Sequence, residues 1–232
     1  MIQVIRSEQR YHANMGWLDT RWHFSFDHYH DPANMGLSML RVFNDDVIEP
    51  GQGFGTHPHR DMEIVSYVLE GALEHRDSLG STGVIRAGEV QVMSAGTGIT
   101  HSEYNHSKTD PCHFLQLWIR PRTRGLTPRW EQRLFSSTDR AGKLLPVVSG
   151  GYIPGTMTID QDATVYLAAL QPGQQVVHRS QPGRHAYLFV ITGDVLLNGA
   201  ALSPGDQARI KEESQLGIEA RSNAEVIFLD LP

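Results

Sequence analysis

Two short segments between Gly51 and Asn105 carry metal-ligating residues at alternate positions: His57 and His59 in G-Q-G-F-G-T-H-P-H, and His101 and Glu103 in T-G-I-T-H-S-E-Y-N. Residues two apart share a face of an extended strand, so each pair points one way only if its segment is a strand. Two strands that each offer two ligands to one face can surround a single metal ion. Three imidazoles and a carboxylate make a mixed N/O shell that suits Fe, Mn, Ni, Cu or Zn and leaves positions open for exogenous ligands. Glu63 has the parity of His57 and His59 if their strand runs on unbroken. By spacing alone, either Glu63 or Glu103 can therefore supply the carboxylate. Pro58, between the first two ligands, fixes φ and removes a backbone donor, which places it at a sheet edge or a strand start.

The surrounding chain reads as short strands parted by turn residues. Strands are predicted at 37–44, ending in Asn44-Asp45-Asp46, then at 63–69, 72–76, 89–93 and 114–119. Glycine-bearing turns fall between them and no 3.6-residue period is sustained, which predicts a β sandwich or barrel. The second half repeats this outline, with strands at 165–170, 187–191, 195–198, 207–211 and 225–231. His178 stands where a first ligand pair belongs, but no histidine follows two residues later and no His-x-Glu lies downstream. The expected organisation is a metal-binding barrel with linker over 1–134 and a barrel without metal over 135–232.

Other histidines and the arginines invite functional interpretations that the pattern does not favour. His23, His28 and His30 lie among aromatic residues from Trp22 to Tyr29 and lack paired acidic partners in a strand. They are expected to wrap a barrel mouth rather than bind a metal. Arg120 to Arg133 holds five arginines, two prolines and a glycine, expected to be a solvated strap between the barrels. The net charge of -6 argues against nucleic-acid and anionic-membrane partners. A single cysteine, Cys112, permits no internal disulfide, and the polar N-terminus is unlike a secretory signal, so a cytoplasmic location is expected.

Gly51 six before His57, Glu63 four after His59, Gly71, Gly88, and Asn105 four after His101 together resemble the paired motifs of the cupin family. Cupins are small β-barrels, of double-stranded β-helix or jelly-roll type, that hold a metal inside. Gly71 falls one residue late, Ser94 replaces a usual proline, and Gly96-Thr97-Gly98 lengthens the approach to His101. Those departures, with H-P-H-R-D-M-E, H-S-E-Y-N, F-S-F-D-H-Y-H-D-P and L-R-V-F-N-D-D, resemble the pirin branch. The resemblance is specific over the first half of the chain and general beyond it. It implies an all-β fold of two cupin barrels, with Glu103 rather than Glu63 as fourth ligand. Glu63 is then expected to orient an imidazole by a hydrogen bond.

The resemblance also implies a metal-dependent dioxygenase with quercetin 2,3-dioxygenase activity. One divalent transition metal is expected, with Fe(II) the first choice and Mn, Ni, Cu or Zn open. Glu103 would double as the base that accepts the 3-hydroxyl proton of a flavonol or related enolic substrate, and dioxygen would be the co-substrate. The alternative is a non-enzymatic pirin in which the metal senses redox state and alters a surface that binds a regulatory protein; nothing in the residues indicates such a partner. A metal-assisted isomerase is a third option, since a fold does not fix a function.

Overall fold

The computed structural model describes residues 1–232 and contains two compact units. One comprises Tyr11–Phe135 with Met157–Gln161; the other comprises Met1–Arg10, Ser136–Thr156 and Asp162–Pro232. The first ten residues thus pack with the C-terminal part of the chain. Both units are all-β cupin barrels, and no helix is long and apolar enough to cross a membrane.

In the unit that carries the ligand motifs, a seven-stranded antiparallel sheet faces a four-stranded one. The larger sheet runs Arg129–Leu134, Glu89–Ser94, Glu63–Glu70, Cys112–Ile119, Leu40–Ile48, Leu18–Trp22, Tyr11–Asn14. The smaller runs Gly53–His59, Ile99–Asn105, Ala72–Asp77, Thr82–Arg86. Val68, Phe114, Ile48 and Leu18 of the first close on Leu73 and Ile85 of the second, and Cys112 sits buried among them. Burial pushes the Cys112 thiol up to about 12, so it behaves as a small apolar residue. In the other unit, Leu188, Val190, Val226 and Phe228 pack on Leu197, Leu216 and Ile218 of a second four-stranded sheet. There His178 hydrogen-bonds Asp230 at 3.1 Å.

Two local expectations change. Asn44-Asp45-Asp46 does not end a strand: Leu40–Ile48 runs straight through it, and the turn falls at Glu49–Gln52. These polar residues stay in the sheet because neighbouring strands give them partners. Thr20 donates to Asp46, and His113 lies 2.6 Å from Asp45. The arginine segment is also less free than a strap, because Arg129–Leu134 is a strand paired with Glu89–Ser94. Its charges have neighbours of opposite sign, Glu131 near Arg129 and Arg133, and Asp160 near Arg122.

Candidate metal centre

Both ligand motifs fall on adjacent antiparallel strands of the four-stranded sheet. Ile99–Asn105 alternates cleanly, with Ile99, His101, Glu103 and Asn105 buried and Thr100 and Tyr104 exposed. Gly53–His59 is the edge strand, which tolerates the missing N–H of Pro58. His101 pairs with His57, but Glu103 pairs with Phe54, so a bulge adds one residue to the edge strand. The bulge turns Phe54 inward together with His57 and His59 despite the odd spacing. Gly53 is needed where this strand closes on its neighbour: a Cβ there would lie 2.3 Å from the Glu103 carbonyl oxygen.

The rings of His57, His59 and His101 gather with centroids 4.5 to 4.8 Å apart. Their ligand nitrogens form one cluster, each within 4.8 Å of the others. Burial, reinforced by the other imidazoles, pulls His59 and His101 down to about 3. Both rings are therefore neutral and keep a lone pair for an ion. His57 Nδ1 lies 2.8 Å from the Gly55 carbonyl oxygen, to which it can only donate, so Nε2 is its free nitrogen. His101 Nε2 is buried without any hydrogen-bond partner. An unpaired buried acceptor is costly, and a metal ion satisfies it.

Glu103 falls in a second, overlapping cluster, with His75 and His101. Its two carboxylate oxygens accept hydrogen bonds from Gln91 Nε2 and, at 2.7 Å, from Gln116 Nε2. The orientation of both amides is fixed by indoles, which can only donate. Trp130 Nε1 donates to Gln91 Oε1 at 2.8 Å, and Trp118 Nε1 donates to Gln116 Oε1 at 3.2 Å. Both amides must then turn N–H toward Glu103. Each carboxylate oxygen keeps a further lone pair that an ion can take.

Glu63 does not join this group. The ligand strand stops at His59, Asp61 adopts φ +47°, and Glu63 begins a strand of the opposite sheet. Its carboxylate accepts from Ser94 Oγ at 2.6 Å and lies 3.9 Å from Arg129. The expected imidazole contact is replaced by these two. His23 and His28 also stay out of the cluster. His23 is buried against Phe43, and His28 contacts Asp27 and Tyr11.

A cavity of about 400 Å³ opens beside His57 and Glu103. Trp17, Trp22, Phe26, Phe54 and Trp118 form most of its wall, and Asn44, Asp46 and Gln116 supply polar groups. Trp118 stands edge-on to His59 with centroids 4.9 Å apart. Asn44 Oδ1 is buried and has no partner. Complete burial pushes the Asp46 carboxyl up to about 7, against the hydrogen bond from Thr20.

These shifts fix how the metal-free protein responds to pH. Unfolded histidines take protons below their ordinary value of 6.5, while folded His59 and His101 resist down to about 3. Stability should therefore rise with pH across that window. Asp46 opposes this between 3.8 and about 7, because there the folded state holds a proton that the unfolded state has released. Glu63 and Glu225, raised by burial, also oppose it above 4.5. Asp77, Asp206 and Asp230, held low against burial by their hydrogen bonds, reinforce it below 3.8. Urea midpoints of metal-free protein should therefore climb from about pH 3.5 to about 4.5. A flat profile would mean that the folded imidazoles take up protons freely.

Sequence spacing left out His75, Asp77, Gln91, Gln116 and Asn44. His75 and Asp77 do share the parity of a ligand pair on Ala72–Asp77, the one available signal.

The Pirin family pattern matches residues 4–119, and the pattern described as the quercetinase C-terminal cupin domain matches residues 147–231. A protein of Escherichia coli (strain K12) named quercetin 2,3-dioxygenase is 50% identical over 233 residues, covering 100% of this chain and 99% of its own length. A pirin-like protein from Caulobacter vibrioides is 42% identical over 219 residues, 94% of each chain. The crystal structure of the bacterial pirin YhhW from Escherichia coli in complex with nickel(II) matches with a TM-score of 0.95 at 48% identity, covering 100% of this chain and 99% of that one.

Proposed function

The chain belongs to the pirin family, and on that footing we propose that it is a metal-dependent dioxygenase that opens flavonols such as quercetin, with His57, His59, His101 and Glu103 holding one ion. The observation that carries this is the joint position of His57 and Glu103: both belong to ligand clusters or motifs, and both line the aromatic cavity. When bound, a divalent transition ion supplies a Lewis-acidic, redox-capable centre, with Fe(II) the first candidate and Mn, Ni, Cu or Zn also compatible with the donors. The ion is assigned to this unit alone, since both groups of potential ligands, His57 with His59 and His101, and His75 with His101 and Glu103, lie in it.

The residues have separable tasks. The five aromatic side chains take a flat, three-ring flavonol out of water, and about 400 Å³ lies within the range of small-molecule sites. Asn44 offers an acceptor to a hydroxyl on the flavonol rim. Glu103 accepts the proton of the 3-hydroxyl and so delivers an electron-rich enolate at the ligand face. Gln91 and Gln116 keep the carboxylate aimed while it does so. In the overall reaction both atoms of dioxygen enter the product, the heterocycle opens, and one ring carbon leaves as carbon monoxide.

The test is dioxygen uptake by protein reconstituted with Fe, Mn, Ni or Cu and given quercetin. One dioxygen should be consumed for each quercetin absorbance lost. No consumption with any of these ions would remove the enzyme assignment and leave the metal-sensing, protein-binding role in its place.

A further inference from the structure

His75 and Asp77 lie behind the candidate ligands, in a position that fixes which nitrogen of His101 is free. Both side chains are fully buried, and His75 Nε2 is 3.2 Å from Asp77 Oδ2. His75 Nδ1 is 3.4 Å from His101 Nδ1. Trp130 stacks flat on the His75 ring, with centroids 5.0 Å apart and planes 10° apart, so the ring cannot swing away. The other oxygen of Asp77 accepts the Leu79 and Ser81 amides at 2.9 and 3.0 Å, which leaves Oδ2 for His75. Burial alone would raise the Asp77 carboxyl. The hydrogen bonds from His75 and the Ser81 and Leu79 amides bring it below the ordinary aspartate value.

We propose that Asp77 and His75 form a tautomer relay that keeps the proton of His101 on Nδ1 and its lone pair on Nε2, so presetting His101 as a metal ligand. The proton count leaves one arrangement for neutral rings. A carboxylate only accepts, so His75 carries its proton on Nε2 and gives it to Asp77. His75 Nδ1 is then an acceptor, and the facing His101 Nδ1 must be the donor. The lone pair of His101 lies on Nε2, the buried atom without a partner. His57 reaches the same state through the Gly55 carbonyl; His101 reaches it through two side chains that a substitution can alter. His75 and Asp77 are positioning residues. The inference rests on His101 being a ligand, as proposed above.

Asp77→Asn is the decisive variant because it keeps the shape and can reverse the chain. The Leu79 and Ser81 amides hold an oxygen at the Oδ1 place, so the Asn amide nitrogen falls at Oδ2 and donates to His75 Nε2. His75 then carries its proton on Nδ1, and His101 must carry its own on Nε2, where it blocks the ion. His75→Phe keeps the stacking on Trp130 but removes the acceptor, leaving His101 free to adopt either tautomer. Two measurements serve the test: histidine tautomers in metal-free protein by nitrogen-15 NMR, and nickel(II) affinity by chelator competition. Wild type should show His101 protonated on Nδ1 and bind one nickel. Asp77→Asn should show the Nε2–H form and lose about 10- to 100-fold in affinity, the usual cost of losing a partner behind a ligand. His75→Phe should lose less than Asp77→Asn.

Circular dichroism and melting curves on each variant separate the relay from simple unfolding. A wild-type His101 with its proton on Nε2 would overturn the proposal. So would an unchanged nickel affinity in folded Asp77→Asn, or a second nickel lost with His75, which would make His75 a ligand. If wild type binds no nickel at all, the metal assignment fails, while the tautomer spectrum still decides whether the relay exists.

Discussion

His101→Ala is expected to strip most of the metal from the protein while leaving the barrel folded. His101 is central: its ring touches those of His57 and His59 on one side and His75 on the other, and it belongs to both ligand clusters. Removing a partner behind a ligand already costs about 10- to 100-fold in affinity, so removing the ligand itself should cost more. The fold does not depend on this ring. Val68, Phe114, Leu73, Ile85 and their neighbours form an apolar core away from it, and Ile64, Met93, Ala95 and Ile99 form another cluster. The variant leaves His75 Nδ1 without its neighbour, at a cost of about 1–3 kcal/mol. At roughly 2–4 °C per kcal/mol for a chain of this size, melting should fall by only several degrees. Elemental analysis and circular dichroism on one sample check both halves. A largely unfolded metal-free protein would make the metal structural, as in a zinc finger, and weaken the catalytic role.

Glu103→Gln should lower flavonol turnover by about 10²–10⁴-fold, the usual contribution of a general base. The hydrogen-bond cage makes this variant more than a loss of basicity. Both neighbours present N–H to residue 103, held so by the indoles of Trp130 and Trp118. A glutamine must turn its own N–H₂ against one of them, so its orientation suffers as well. Glu103→Gln combined with Gln116→Glu restores a donor for every acceptor and the same net charge, but moves the carboxylate to the neighbouring side chain. Turnover and bound metal should be measured for both. Full turnover in the single variant would exclude Glu103 as the base. Recovery in the double variant would show that a nearby negative charge suffices without a carboxylate at position 103.

The fold was legible where period two is unopposed. Gln207–Lys211 has the bounds that its pattern implies, and Ile99–Asn105 buries every second residue as spacing requires. Failure came where polar residues sit inside a sheet. Asn44-Asp45-Asp46 resembles a turn because its partners, Thr20 and His113, lie on other strands. The shared parity of Glu63 with His57 and His59 has no structural meaning, because parity holds only within one strand and the backbone turns at Asp61. Glu63 therefore meets Ser94 and Arg129 rather than the imidazole expected of it. His75, Gln91 and Gln116 approach the ligands through strand register and through contact between sheets. Spacing along one strand carries no record of either. Such conflicts between local pattern and final structure gather around the candidate site, where function rather than folding sets the residue.

The extra residue between Phe54 and His57 has a consequence for how this site can vary over time. Before the bulge, the edge strand contributes to the cavity wall; after it, the strand contributes the candidate ligands His57 and His59. Because the bulge shifts the phase between the two parts, each keeps its own inward set. Substitutions at Phe54 can therefore explore new ligand shapes without moving either histidine. A one-residue deletion between them would remove the bulge and bring them to a spacing of two, which in a regular strand keeps both side chains on the inward face and loses only the local bend. Within the lineage, this strand should diversify by substitution at Phe54 and tolerate loss of the bulge residue, since both leave the inward faces of the two parts in place.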